Sequence, residues 1–592
     1  MNRKLVFGLS LLFWLSSMLP TRLSPIVIKA SNGYPVHNLD TGLNYTTIQE
    51  AIDAPQTLDG HTIVVDAGIY NESVLLNKGV FLIGENKSST IINGYGAQWT
   101  ISITANNVTI SGFTIKNGGT GLSSPIIPNG GIRLISNGNT ISNNVIVDNG
   151  YSGIWSGYYA GSIGNTLENN FVSGNFYGIA LDYGSTSNNL TNNVVTNNAH
   201  MGISVSNGGN FLRQNSMSNN TYDFGVWGYS ASEFDSDIDV SNKVNGKPIY
   251  YLVNKSDVQV PSDAGYIAAI NCKNVTVNYA TIRDVGALFF VNVTDSILQN
   301  ITISNTYYWG IYLLDSHYNT LRNLTLTNPS LYNLGLRDSN RNIIEDNFIV
   351  NGSEGIDLYN SSDNMITRND IMHNYNAIFL TYSNNNRIYH NNFVDNTIQI
   401  PTGAIKHNNT WDNGYPFGGN YWSDYDGTDL FSGSYQNVTG SDGIGDKPYV
   451  IDVDNQQMDK YPLMGMFHSF NTSLGYHVNV ISNSTIDDFQ YFDYNSTIRI
   501  LASNMTADQT YGFCRLTIPH SLLSPPYNIT INNNPITCAT VFENETLSII
   551  YFSYQHSTLE IIIISEFPSF PILLPFMIST LLAVIVYRKK IH

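Results

Sequence analysis

Between about Asn106 and Trp411 the chain repeats itself. Phrases of the form Asn-x-Ile-x-x-Asn-x-Ile/Val-x-x-Asn, then Gly-Ile-x-Leu, return at intervals of roughly 22–25 residues, the span of solenoid repeats. One repeated segment opens at Gly153, Gly178, Gly202 and Gly225, and later at Gly310, Asn333, Gly355 and Ala377. The first and third residues after the opening position are apolar, as in Ile179 and Leu181, Ile311 and Leu313, or Ile356 and Leu358. Alternation with a period of two means strand, with those side chains inward. Leu321, Ile343, Ile366 and Ile388 mark a second strand in each coil, and several short strands per repeat exclude a helical solenoid.

A coil of that size is too small to bury its own apolar side chains, so coils must stack, each strand pairing with its counterpart one coil away. The spacing therefore predicts a parallel β-helix. Asparagine is about as frequent as all charged residues together. It tolerates the left-handed turn conformation, bonds its own backbone, and forms amide ladders when coils place Asn over Asn. The exposed first coil needs a cover. Thr47-Ile-Gln-Glu50 reads as a capping box opening a short amphipathic helix through Ile52, within a cap region over 31–105. The repeats at 106–230 and 263–411 are separated by residues 231–262, which break register around the turn signal Asn245-Gly246-Lys247-Pro248 and read as an insertion.

The ends place the chain. Arg3 and Lys4 precede the apolar run Leu5–Leu19, a secretory signal with cleavage near Ala30. Phe567–Tyr587 is long enough to span a bilayer, and Arg588-Lys589-Lys590 would hold the short tail (588–592) inside. The expected topology is a single-span surface anchor with the bulk of the chain extracellular. A formal net charge of −18 argues against nucleic acid as a partner, and roughly twenty Asn-x-Ser/Thr sequons suit a glycosylated surface. After an acidic closing segment (412–467), residues 468–564 change register into strand-like runs that predict a small β-sandwich, read as a spacer. There Cys514 and Cys538 are candidates for a disulfide, which extracellular chemistry permits.

Thr47–Gly94, with Gly68–Tyr70 and Leu82-Ile-Gly-Glu85, resembles the opening of pectin-lyase-like β-helix proteins. Val244–Asn254, the Asn/Gly-Ile coils, Tyr389–Phe393, Asn420–Tyr425, Asp442-Gly-Ile-Gly-Asp446 and Tyr461-Pro-Leu-Met464 are similar to the NosD-type β-helix family. The resemblance implies an all-β, right-handed parallel β-helix. It also implies copper, because the family is named for a periplasmic accessory of nitrous oxide reductase described as copper-binding. Many relatives are archaeal surface proteins, and Ser565-Glu-Phe-Pro-Ser-Phe570 resembles the tripartite tails of such proteins.

Three constellations stand out from the repeat. Asp424, Asp426, Asp429, Asp442 and Asp446 offer hard oxygen ligands on Gly-relieved turns, a pattern that suits structural Ca²⁺. Copper wants His, Met or Cys close together, and His317, His373, His390 and His407 occupy different phases of the coil. The aromatic edge before the Gly-Ile strand includes Tyr177, Tyr308, Trp309, Tyr332 and Tyr375 and offers platforms for sugar rings. For catalysis the best set is Asp315, Arg337, Asp338 and His317, because Asp315 and Asp338 are equivalent positions one coil apart. The expectation is an anchored extracellular β-helix that binds glycan or another envelope component. A polysaccharide lyase or hydrolase and a metal-handling accessory are the alternatives.

Overall fold

The computed structural model describes residues 33–119, 129–157, 162–401, 408–555 and 558–565. The expected signal segment, membrane span, basic tail and His407 lie outside the described residues. Among those described, no helix is long and apolar enough to cross a membrane.

Three short strands per coil build two blocks of an all-β, right-handed β-helix, each around its own stretch of a contiguous set of apolar side chains from Val36 to Ile451. The helix Ile48–Asp53 covers the first coil, with Ile48, Ala51 and Ile52 buried. Its N-terminus is closed by a reciprocal capping box of Thr47 and Glu50. Inside the turns, asparagines form buried ladders. Asn144, Asn170, Asn193, Asn215 and Asn242 make one, each Nδ2 donating to the next Oδ1 at 2.8–3.3 Å. Asn319, Asn342, Asn364 and Asn386 make another. Each rung donates to the coil ahead, so the last rung needs an acceptor. A further ladder, Asn149, Asn175, Asn198 and Asn220, ends on Asp223, which accepts from both the backbone and the amide of Asn220, at 3.1 and 2.8 Å. Asp459 accepts from the Asn420 backbone at 2.7 Å.

The blocks meet at an inversion. A 15-stranded sheet runs through both, parallel except where Lys243–Val244 pairs antiparallel with Lys247–Val253 through the Asn245-Gly246 turn. Cross-strand partners share a face, so Val244 in the first core fixes Lys247, Ile249 and Tyr251 to that side. Registration then carries Ala268, Phe289 and Tyr312 onto the same side, while Ala269, Phe290 and Leu313 turn to the opposite one and fill the second core. The two blocks therefore bury opposite faces of one sheet. Strand Tyr266–Ile270, at the changeover, is buried on both faces, and the edge of Tyr266 meets Phe224 of the first core at 4.9 Å. The segment read as an insertion is thus the place where strand direction reverses and the core changes side.

Beyond the solenoid, two five-stranded antiparallel sheets pack over a separate core that includes Val480, Ile500, Leu516 and Ile561. The disulfide expectation is corrected: Cys514 and Cys538 are both free. Cys514 lies opposite Phe552, and Ala539, next to Cys538, lies opposite Tyr551 on the far side of the same strand. An intervening strand sets the two cysteines about 9–10 Å apart, beyond the roughly 7 Å reach of a disulfide.

Candidate functional site

The inversion leaves a step, and the step holds a cavity of about 470 Å³. One wall is the outward column of the first block's Gly-Ile strands, where Trp155, Ala180 and Ser204 lie in register. The other is the face of the shared sheet left uncovered where the first core ends, carrying Phe289 and Tyr312. Trp227, from the last first-block coil, bridges them, with its ring edge-on to Phe289 at 6.1 Å and to Tyr307 at 5.6 Å.

Most of the lining is aromatic. Trp309 stacks with Tyr332 at 5.8 Å and packs against Tyr312 at 4.5 Å. Tyr183 and Tyr229 lie nearly parallel, 6.5 Å apart. The lining also includes Ser152, Asp182, Ser204, Ser206 and Arg337. Asp182 accepts a 2.6 Å hydrogen bond from Trp155 Nε1, and burial pushes its carboxyl above the usual range. Ser152 Oγ and Trp309 Nε1 are buried without a hydrogen-bond partner among the described residues.

The structure gathers Tyr177, Tyr308 and Trp309 into this cavity and sets Tyr332 against Trp309 at its edge. Tyr375 stands apart, 56% exposed. Asp182 gave no signal in the sequence, because its neighbourhood of Gly, Ser and Asn reads as an ordinary turn.

Of the proposed catalytic set, His317 and Asp338 line one surface cavity. Asp315 and Asp338 both occupy left-handed turn positions, at φ 49° and 52°. Asp338 accepts a 2.5 Å bond from Asn360, the next rung of the turn. Arg337 Nε lies 3.7 Å from Asp338 with its guanidinium 4.9 Å over the Tyr359 ring, and His317 Nδ1 accepts the Asn340 N–H at 3.0 Å. Two carboxyls the repeat pattern hid lie nearer the cavity. Glu354 pairs in register with Tyr332, and Asp357 with Gly335. Burial raises Glu354 to about 7 and Asp357 to about 6.

The acidic closing loop uses its carboxylates as backbone acceptors. Asp429 takes the N–H groups of Asp442 and Gly443 at 2.9 and 2.7 Å. Asp446 takes those of Leu430 and Phe431. Asp424 accepts from the Tyr449 hydroxyl, and Asp442 faces Arg515. Among the described residues no three His, Cys, Asp or Glu side chains converge as a metal-binding group, with Asp426 no exception. A copper site does not fit the donors described. His390 is buried, stacked on Phe467 at 4.2 Å, and its Nε2 is bonded to the Phe417 carbonyl. His373 occupies a left-handed turn in another part of the coil.

Residues 65–232 match the family described as "Right handed beta helix region", and residues 239–427 the family described as "Periplasmic copper-binding protein (NosD)". The two matches meet just before the inversion hairpin. A cell surface glycoprotein of Methanothermus fervidus is 42% identical over 127 residues, 21% of this chain and 19% of that protein. The match thus spans about a fifth of that relative's length. The A-module of a mannuronan C-5 epimerase of Azotobacter vinelandii covers 64% of this chain and 96% of its own, at 13% identity and a TM-score of 0.28. A tailspike protein of Acinetobacter baumannii bacteriophage Fri1, described as a capsular polysaccharide depolymerase, covers 88% and 82%, at 9% identity and a TM-score of 0.25.

Proposed function

Because the chain is a NosD-type right-handed β-helix protein, we propose that it is a surface-anchored protein that holds a glycan in the aromatic cavity at the step between its two blocks. The cavity itself carries this reading. Sugar rings pack their C–H faces on aromatic surfaces while their hydroxyls need hydrogen bonds, and the lining supplies Tyr, Trp and Phe rings beside Ser, Asp and Arg. Its volume falls in the range of small-ligand sites, about 300–1,000 Å³. A surface location is supported by the apolar run near the N-terminus, by the apolar segment with its basic tail near the C-terminus, and by the name of the Methanothermus relative.

The test is incubation of the purified full-length chain with a panel of polysaccharides, recording both retention and the release of unsaturated or reducing ends. Retention without release is the expected result, and it should fall about tenfold or more in the Tyr308→Ala, Trp309→Ala double variant. Unchanged retention in that variant would exclude the cavity.

A further inference from the structure

Resting on that glycan reading, we infer that the cavity selects a glycan bearing a free amino sugar, with Asp182 as the anion that receives the sugar ammonium. Three observations carry this. First, Asp182 is set among aromatic side chains: Trp155 donates to it, and its charge is felt by Tyr151, Tyr177 and Tyr183. A carboxylate lining an aromatic cavity suits a cation, because the faces of the lining rings also attract positive charge. A sugar carboxylate there would meet like charge.

Second, the surrounding charges leave that anion uncompensated. Glu233 adds a second negative charge at the Tyr183 rim, and Asp357 lies beyond Gly335 at the other end. His200, packed against Tyr177 and Tyr307, is held neutral by burial. Among the described residues the one cation of the lining is Arg337, whose guanidinium is 3.7 Å from Asp338, lies over Tyr359 and faces Asp357. It is therefore already balanced by carboxylates of its own strand and the next.

Third, the lining holds polar atoms that the protein leaves unpaired. Ser152 is fully buried, yet among the described residues its Oγ has no hydrogen-bond partner, and neither has Trp309 Nε1. Buried polar groups are almost always paired, so a hydroxyl-bearing ligand has one donor–acceptor and one donor waiting at the aromatic surface. A ligand with an ammonium for Asp182, a ring face for the tyrosines and hydroxyls for these two atoms is an amino sugar.

The experiment is calorimetric titration of the full-length chain with glucosamine oligomers, their N-acetylated counterparts and oligouronates of equal length. Glucosamine oligomers should bind about tenfold or more tightly than the N-acetylated series, with oligouronates weakest. The Asp182→Asn variant, which keeps an acceptor for Trp155 Nε1, should lose the preference while still binding the N-acetylated series. Equal affinity for acetylated and free amino sugars, or tighter binding of uronates, overturns this inference and leaves the glycan reading standing. No binding by any of the three overturns both.

Discussion

The Arg515 guanidinium reaches from the sandwich into the closing loop of the solenoid, where it lies 3.8 Å from the Asp442 carboxylate, both side chains being 1% exposed. Its two terminal nitrogens also donate to the backbone carbonyls of Asp442 and Pro416. Around this pair Ile444, Leu463, Phe467, Ile481 and Phe513 form a small core of their own. The sandwich is thus seated on the last coil and covers it.

That burial sets the first prediction. Arg515→Ala leaves Asp442 as an uncompensated buried charge and two carbonyls without donors, a loss of about 3–5 kcal/mol. Arg515→Ala with Asp442→Ala should recover part of it. The measurement is chemical unfolding of the single and double variants. A single-variant loss below about 1 kcal/mol would mean the pair contributes no more than an exposed one.

The ends of the asparagine ladders give the second. Asp223 is the acceptor in which Asn198 and Asn220 terminate. Asp223→Leu removes the acceptor of the Asn220 backbone N–H and of the Asn245 amide, while the Asn220 amide keeps the Val195 and Ser218 carbonyls, and a buried donor left unpaired costs about 1–3 kcal/mol. The same change to Leu at Gln259, an exposed strand position outside the buried ladders, should cost less than about 0.5 kcal/mol. Comparing their thermal midpoints isolates the ladder end.

The third concerns Gly335. A Cβ there would lie 2.9 Å from Trp309 Cδ1 and 3.0 Å from Tyr312 Cδ2. Both are side-chain atoms at the cavity edge, so Gly335→Ala should displace the indole with a stability change of about 1 kcal/mol. Glycan retention should fall in step with a shift in tryptophan emission. A shift without loss of retention would remove Trp309 from the binding surface.

How much of this was legible depended on whether sequence-adjacent residues carried the information. The coil period, the inward Ile and Leu positions and the Thr47–Glu50 cap are local, and periodicity exposes them. The inversion is not, because Asn245-Gly246 reads as a turn whether the following strand stays on its face or changes it. Tyr308 and Trp309 were visible as interruptions of the repeat. Asp182 was not, since only the stacking of first-block coils brings it beside Trp155, Tyr151 and Tyr177. Glu354 was hidden by the Gly-Ile phrase it precedes. Cys514 and Cys538 looked pairable because spacing does not reveal that a strand runs between them.

Those thiols give the fourth prediction. Cys514 is fully buried, with burial pushing its thiol up to about 11, while Cys538 is partly exposed. A thiol reagent should modify Cys538 first and reach Cys514 only on unfolding. Reductant should leave the thermal midpoint unchanged, and a fall of several degrees would require a disulfide after all.

The last prediction is a pH dependence centred on His390. Burial under Phe467 lowers its imidazole from 6.5 to about 4, with Arg368 and Arg515 adding like charge. The folded state holds the neutral ring, so stability is full above pH 6.5 and is lost as pH falls toward 4, by about 3 kcal/mol at most. His468, lowered in the same way, acts with the same sign. Asp459 acts oppositely, since burial raises it to about 7 and the folded state loses stability as pH climbs from 3.8 to 7. His390→Phe preserves the stack and removes the charge. It gives up the bond to Phe417, a cost of about 1 kcal/mol that does not vary with pH. Thermal midpoints from pH 7 to pH 4.5 should therefore fall less steeply in His390→Phe than in the parent chain. Parallel curves would show that the imidazole finds a way to protonate without leaving its place beside Phe467.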